Sequence, residues 1–340
     1  MVFLLLIIGL VVLAYSADYL VDGAVGIAKR FKIPDLFIGL TIVAFGTSAP
    51  ELIVNLIAAL DPTTTDIALT NIIGSNTINI FIILGAAALI YPVRSQKKSH
   101  TFDIPFCIAA TLILFLPIYF QNELDRFFGV ILLIIFSFFM VIIIRKALKE
   151  RKNYLSKEAG ETDKTLKTNE AAIEPIIEQV NRETEKTLKK TSWYILMVIG
   201  GLVGLVAGGK LIVNSATTIA ISLGISQSII GLTIVALGTS LPELATSINA
   251  AKKKNSDIAL GNVIGSNIFN VFFVLGISAV IRPLPAYENI FVDLSIASLG
   301  GLLVLIFVLT NKKYEIKRWE GGLFLCIYFG YLAWMISEII

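Results

Sequence analysis

Cysteine and histidine are nearly absent from this chain of 340 residues, which has two of the former and one of the latter, and only 16% of its residues are charged. Cys107 and Cys326 both fall inside apolar stretches, so neither a disulfide framework nor a thiolate metal site is expected. His100 lies in a basic loop between spans, and a zinc or copper centre would want several such ligands. No Asp-rich cluster appears, which removes the chemistry by which a membrane-embedded prenyl- or phosphotransferase holds metal-bound diphosphate. The net charge of +3 gives no reason to expect nucleic acid. The opening apolar run lacks a basic leader and a small-residue cleavage site, so it reads as a retained first helix rather than a signal peptide.

What the chain has in excess is hydrophobic residues, at 56%. Crossing the hydrocarbon layer takes about 20 helical residues, and runs of that length are expected near 2–28, 35–58, 66–91, 102–120, 126–146, 192–222, 228–251, 257–281, 289–310 and 319–338. The fold class is therefore an all-α polytopic membrane protein of ten transmembrane helices. They divide into a first five-helix unit over 1–148, a polar linker over 149–190 and a second five-helix unit over 191–340. The long first and sixth segments suggest steep tilt rather than extra loops. In the linker both charge signs are mixed and no D-x-D-x-D-G calcium loop occurs; its stretch from Glu170 to Lys190 has the composition of a surface helix.

Lysine and arginine test the count. With the N-terminus outside, the cytoplasmic connections hold Lys29, Arg30, Lys32, Arg94, Lys97, Lys98, the central linker, Lys252 to Lys254, Lys312, Lys313, Lys317 and Arg318. Only Arg126, Lys210 and Arg282 fall elsewhere, which is the asymmetry expected of a multi-pass protein of the cell membrane.

The two units share near copies of two blocks. GLTIVAFGTSAPEL from Gly39 returns as GLTIVALGTSLPEL from Gly231, and DIALTNIIGSNTINIFIILG from Asp66 returns as DIALGNVIGSNIFNVFFVLG from Asp257. Because five spans is an odd number, the second copy enters the membrane from the opposite side, an inverted repeat. Thr47 and Glu51 are four residues apart and share one helical face, as do Thr239 and Glu243, Ser75 and Asn79, and Ser266 and Asn270. A charge at the bilayer centre costs roughly 2.5–3.5 kcal/mol, so Glu51 and Glu243 are expected to face one another or a wet cavity. Pro50 and Pro242 lack an amide hydrogen and leave the carbonyls of Gly46 and Gly238 without helical donors. Carboxylates, hydroxyls, amide oxygens and bare carbonyls make a hard, all-oxygen set suited to calcium or sodium. Two ionised glutamates are neutralised by one divalent or two monovalent ions, so an empty site resists crossing and exchange becomes obligatory.

Other polar and small residues are read more plainly. Gly74, Gly85, Gly265 and Gly276 are expected at close helix contacts, whereas Asn71, Asn76, Asn262 and Asn267 suit interhelical ties and ion binding about equally. Asp18 and Lys210 occupy equivalent places in the repeat and are expected to form an ion pair or gate element, with Asp22 beside Asp18.

These motifs resemble the alpha repeats of the cation/calcium antiporter superfamily, and most closely the sodium/calcium exchangers of prokaryotic type, over nearly the whole chain. GTSAPE and GTSLPE, each followed by GSN-x-x-N, carry the resemblance. It implies a core of the second, third, seventh and eighth helices with the ions between them, across which the long first and sixth helices slide. It implies that Glu51 and Glu243 bind both calcium and sodium, with oxygens from Thr47 and Thr239 and, beside them, Ser48 and Ser240. Backbone carbonyls of Ala44 and Ala236 join outer sodium positions, and Ser75, Ser266, Asn79 and Asn270 complete the set. Some relatives place an aspartate where this chain has Asn270, and an acidic residue there accompanies potassium co-transport; Asn270 implies potassium independence. The linker lacks the calcium-sensing domains of animal exchangers.

The function expected is an antiporter, not an enzyme, exchanging sodium for calcium, with those ions as substrates, the bilayer as surroundings and no cofactor. A proton-coupled calcium antiporter is the alternative, and a passive channel a third reading. The sequence sets neither stoichiometry nor oligomeric state, and one chain supplies both halves of the site.

Overall fold

A computed structural model describes residues 2–60, 65–97, 99–166, 191–222 and 236–339. Its helices follow the expected spans: α1 Val2–Phe31, α2 in two pieces Asp35–Thr47 and Ala49–Leu60, α3 over 65–90, α4 Ser99–Gln121 and α5 Arg126–Leu166. The second unit has α6 Thr191–Ser222, α7 in two pieces Ala236–Thr239 and Leu241–Lys252, α8 Ser256–Ile281, α9 Ile290–Thr310 and α10 Arg318–Ile339. Seven of these are long and apolar enough to cross a membrane, and the bent pair of α2 makes an eighth. The part of α7 expected before residue 236 lies outside the described residues, as does the stretch Glu170 to Lys190.

Two outcomes differ from expectation. α5 does not stop at the membrane surface but continues to Leu166, into the segment read as linker. His100 is not a loop residue: it belongs to the π-helical first turn of α4, Ser99–Asp103, where it is buried and stacks on Tyr314 with ring centroids 4.6 Å apart. The aromatic partner comes from the turn before α10, distant in sequence, and a local reading of charge does not reveal it. α1 and α6 are single unbroken helices, as expected. They pack on one another with backbone contact: a Cβ on Gly201 would lie 2.7 Å from Leu20 N, and one on Gly208 2.9 Å from Leu13 N.

Two miniature antiparallel ladders tie the halves together. β1 (Val93–Arg94) pairs with β4 (Glu315–Ile316), and β2 (Glu123–Leu124) pairs with β3 (Leu284–Pro285). β1 follows α3 as β3 follows α8, and β2 follows α4 as β4 follows α9, so the two ladders are images of one another. Reciprocal contacts of this kind are the mark of a two-fold axis. With an odd number of spans per unit, that axis lies in the membrane plane. Along it sit α3 and α8, 78% buried over their apolar windows. Their Leu, Ile and Phe side chains merge with those of α4, α5, α9 and α10 into one core, while α1, α2 and the start of α8 share a second.

Candidate functional site

α2 and α7 break at the same motif position. Ser48 leaves helical geometry at φ −81°, ψ 9°, and Ser240 at φ −89°, ψ 5°; the two pieces of α2 meet at 46°. Pro50 and Pro242 stand second in the helices that follow, where a missing N–H breaks no hydrogen bond. The break thereby places Glu51 and Glu243 in the first turn of a new helix. Backbone N–H groups and the positive end of the helix dipole favour a carboxylate there.

Both glutamates are buried, at 1% and 0% exposure, and lie close enough for their charges to interact. Each reaches across the axis. Ser48 Oγ donates to Glu243 Oε1 at 2.9 Å, and Ser240 Oγ donates to Glu51 Oε1 at 3.2 Å. The remaining carboxylate oxygens, Glu51 Oε2 and Glu243 Oε2, are buried with no hydrogen-bond partner among the described residues. The same is true of Ser75 Oγ and Ser266 Oγ, and of Asn79 Oδ1 and Asn270 Oδ1. These atoms form three pairs related by the repeat, on α2 with α7 and on α3 with α8. Native proteins seldom leave buried polar atoms unsatisfied, and each one costs about 1–3 kcal/mol. All six are oxygens, among them one from each of two carboxylates, the donor type that a hard cation takes. Among the described residues no larger cluster of His, Cys, Asp or Glu accompanies them.

Thr47 is fully buried and donates to Asn262 Oδ1 at 3.1 Å, while Ala44, one turn earlier, accepts the Ser48 N–H at 3.0 Å. Ala236 and Thr239 bound the short first piece of α7, which packs on α3. Asn79 and Asn270 each open a π-helical stretch, Asn79–Leu84 and Asn270–Leu275. Such wide turns often lie at functional positions, and neither sequence block signals them.

The asparagines that composition left undecided now divide. Asn262 Nδ2 donates to Ser247 Oγ at 2.9 Å and to the Glu243 carbonyl at 3.3 Å, and Asn71 donates to Asn55 Oδ1 at 2.7 Å; these are ties between helices. Asn55 and Ser247, both fully buried, were not singled out from the sequence. Asn76 and Asn267 instead touch Asn270 and Asn79. Of the glycines, Gly85 closes on Gly321 O, Gly265 on Leu40 and Ala44, and Gly276 on Leu133, each as expected of a close helix contact. For Gly74 no such neighbour is found within 4 Å, and residues 231–235, in the repeat the equivalent of the α2 segment against Gly265, lie outside the described residues.

The expected pairing of Asp18 with Lys210 is not observed. Asp18 Oδ1 and Asp22 Oδ1 both meet Lys253 Nζ, at 2.8 and 2.9 Å, and Asn249 Nδ2 donates to Asp18 Oδ1 at 2.8 Å. The contact joins α1 to the turn between α7 and α8, and Lys210 is exposed. Burial pulls the Lys253 ammonium down, but hydrogen bonds to Asp18 and Asp22 outweigh it and hold its pKa above the ordinary lysine value. A raised lysine keeps its charge up to that pKa and loses it only above, so the contact is intact at neutral pH.

A buried, two-fold-related oxygen site at helix breaks, inside inverted membrane repeats, defines the class of secondary cation transporters. The chain belongs to the sodium/calcium exchanger protein family, whose model matches residues 1–145 and 193–337. It is a membrane transport protein of ten helices in two inverted repeats, not an enzyme. It is 37% identical to the putative antiporter CaxA of Alkalimonas amylolytica, covering 98% of each chain. To the sodium/calcium exchanger MaX1 of Methanosarcina acetivorans it is 32% identical over 97% of each. Its fold is similar to that of the sodium-calcium exchanger NCX_Mj soaked with 2.5 mM Na+ and 10 mM Sr2+, with a TM-score of 0.75 and 32% identity, covering 98% of this chain and 99% of that one.

Proposed function

We propose that the protein exchanges sodium for calcium across the cell membrane by alternating access, with the N-terminus outside and the 149–190 linker in the cytoplasm. The observation that carries this reading is the set of buried oxygens, Glu51 Oε2, Glu243 Oε2, Ser75 Oγ, Ser266 Oγ, Asn79 Oδ1 and Asn270 Oδ1, left without hydrogen-bond partners among the described residues. Thr47, Thr239, Ser48, Ser240 and the Ala44 and Ala236 carbonyls line the same helix breaks and complete the proposed ligand set. Calcium accepts 6–8 oxygens in a pliant geometry, which fits two carboxylates supplemented by hydroxyls and amides. The names of MaX1 and NCX_Mj, both sodium/calcium exchangers, support the same pair of ions.

With both glutamates ionised, the bare site carries about two negative charges in a region of low dielectric, which opposes its passage without cargo. One calcium or a group of sodium ions neutralises it, and the two compete for the same oxygens. Three sodium ions against one calcium make the cycle electrogenic. Asn270, neutral where some relatives carry an aspartate, leaves no extra carboxylate for potassium or a proton.

The test is calcium uptake into proteoliposomes under an imposed sodium gradient, at clamped pH and voltage. Wild-type protein is expected to take up calcium and to move net charge. Glu51→Gln and Glu243→Gln are each expected to reduce uptake at least about 100-fold with an unchanged melting temperature, because a bound divalent ion loses a charged ligand at low dielectric. Uptake driven by a pH gradient without sodium would replace sodium with protons as the coupling ion. Uptake retained in both glutamine variants would overturn the site itself.

A further inference from the structure

Asn79 and Asn270 offer an oxygen to the site only if their amides are turned the right way, since the other end of each amide is an NH2 that repels a cation. The structure shows what fixes the turn. Asn76 Nδ2 donates to the Asn267 backbone carbonyl at 3.2 Å, and Asn267 Nδ2 donates to the Asn76 backbone carbonyl at 3.2 Å. A carbonyl accepts and never donates, so each of these two NH2 groups is locked by the main chain of the opposite half. Their Oδ1 atoms are then acceptors with a fixed direction. Asn267 Oδ1 accepts from Asn79 Nδ2 at 2.8 Å, and Asn76 Oδ1 accepts from Asn270 Nδ2 at 3.0 Å. With their NH2 ends so held, Asn79 Oδ1 and Asn270 Oδ1 are left without hydrogen-bond partners among the described residues. All four side chains are at most 2% exposed, so water does not scramble the order.

We propose that Asn76 and Asn267 are positioning residues: each orients the amide of a ligand on the other half, so that Asn79 and Asn270 present oxygen to the transported cation. This rests on the functional reading above and adds to it a polarity relay running from two backbone carbonyls to two ligand oxygens. The relay also couples the halves, because neither amide is set by its own repeat.

The proposal separates from simple helix packing through a change of background. An aspartate at position 79 has oxygen at both ends and needs no orienting partner. Asn267→Ala is therefore expected to raise the apparent KM for calcium about 10-fold, the lower end of what loss of an outer-shell partner costs a metal site. In the Asn79→Asp background Asn267 Oδ1 faces a carboxylate oxygen instead of an NH2, so the same Asn267→Ala change is expected to leave KM within about twofold or to lower it, relative to Asn79→Asp alone. The mirror set, Asn76→Ala with and without Asn270→Asp, repeats the test on the other half and serves if Asn267→Ala fails to fold. Calcium binding to the purified full chain, followed by titration calorimetry, is measured beside sodium-driven uptake in proteoliposomes. An equal loss with and without the aspartate, in a wild-type protein that binds and transports calcium, would overturn the relay and leave the exchanger reading standing. A well-folded wild type that neither binds nor transports calcium would overturn both.

Discussion

α3 and α8 are about as apolar as α1 and α6, yet 78% of the first pair's apolar windows is buried in protein against 28% of the second's. Hydropathy therefore does not separate the static centre from the periphery; polar side chains do. α3 and α8 carry asparagines that bond to one another across the halves and, through Asn71 and Asn262, to α2 and α7, whereas α1 and α6 present Leu, Ile and Val to the surroundings and glycine to one another. The centre is held by directional hydrogen bonds that admit one arrangement. α1 and α6 are joined to each other by close backbone contact, and α1 also meets the α7–α8 turn through Asp18, Asp22 and Lys253. A transporter needs this division, with a site that keeps its geometry while something beside it moves.

The sharpest way to break the contrast is to force the centre apart. A Cβ on Gly265 would lie 2.7 Å from Ala44 Cβ and 2.8 Å from Leu40 O, closer than side-chain carbons pack. Gly265→Leu is expected to cost about 3 kcal/mol or more of stability, at the upper end for overpacking, and to abolish transport. Thermal melting in detergent, read beside calcium uptake, checks both. A smaller effect is expected at the α1–α6 seam, where adjacent glycines differ. Gly201 lies against the Leu20 backbone, while Gly200 has no neighbour within 4 Å. Gly201→Leu is expected to slow uptake by about tenfold through a seam distortion of 1–2 kcal/mol, and Gly200→Leu to leave it within about twofold. Equal effects at the two positions would mean that the seam does not constrain the cycle.

How far these regions were legible follows from what each is made of. The spans were readable because hydropathy alone sets them, and the glutamate pair because the repeated block places a charge and a proline together in both halves. α5 ran past its expected end because hydropathy reports where a helix leaves the bilayer and not where it stops. Asp18 was paired with the wrong lysine for a reason of symmetry. Sequence repeats equate Asp18 with Lys210, but the observed contact joins Asp18 to Lys253, a residue at a different place in the repeat. Asn76 and Asn267 were ambiguous because an amide that ties helices and one that serves a ligand are the same residue. Only the direction of their hydrogen bonds distinguishes the two.

The contact at Lys253 gives a finer test of the same contrast. Its ammonium is 31% exposed and the Asp18 and Asp22 side chains 49% and 56%, so each pair contributes at most about 1 kcal/mol. That is enough to bias a transport cycle without stopping it. Lys253→Met is expected to change the ratio of calcium KM values on the two faces by up to about fivefold, with maximal uptake nearly preserved. Oriented proteoliposomes measure it.

Lys210 supplies the control with the smallest expected effect. It stands at the place of Asp18 in the repeat, and Asp61, outside the described residues, stands at that of Lys253, so the sequence pair related to Asp18 and Lys253 carries its charges the other way round. Lys210 is nonetheless exposed, and the carboxylate it was expected to meet is already engaged by Lys253. Lys210→Met should therefore change the KM ratio by less than about twofold, the range of an exposed substitution. The sign of any residual change carries information, because loss of a cation on α6 and loss of one at the α7–α8 turn act on opposite sides of the axis. If Lys210→Met shifts the ratio as far as Lys253→Met but in the reverse direction, α6 has its own restraint in the alternate state. A shift in the same direction would instead mean that net charge, and not the Lys253 contact, sets the balance between the two faces.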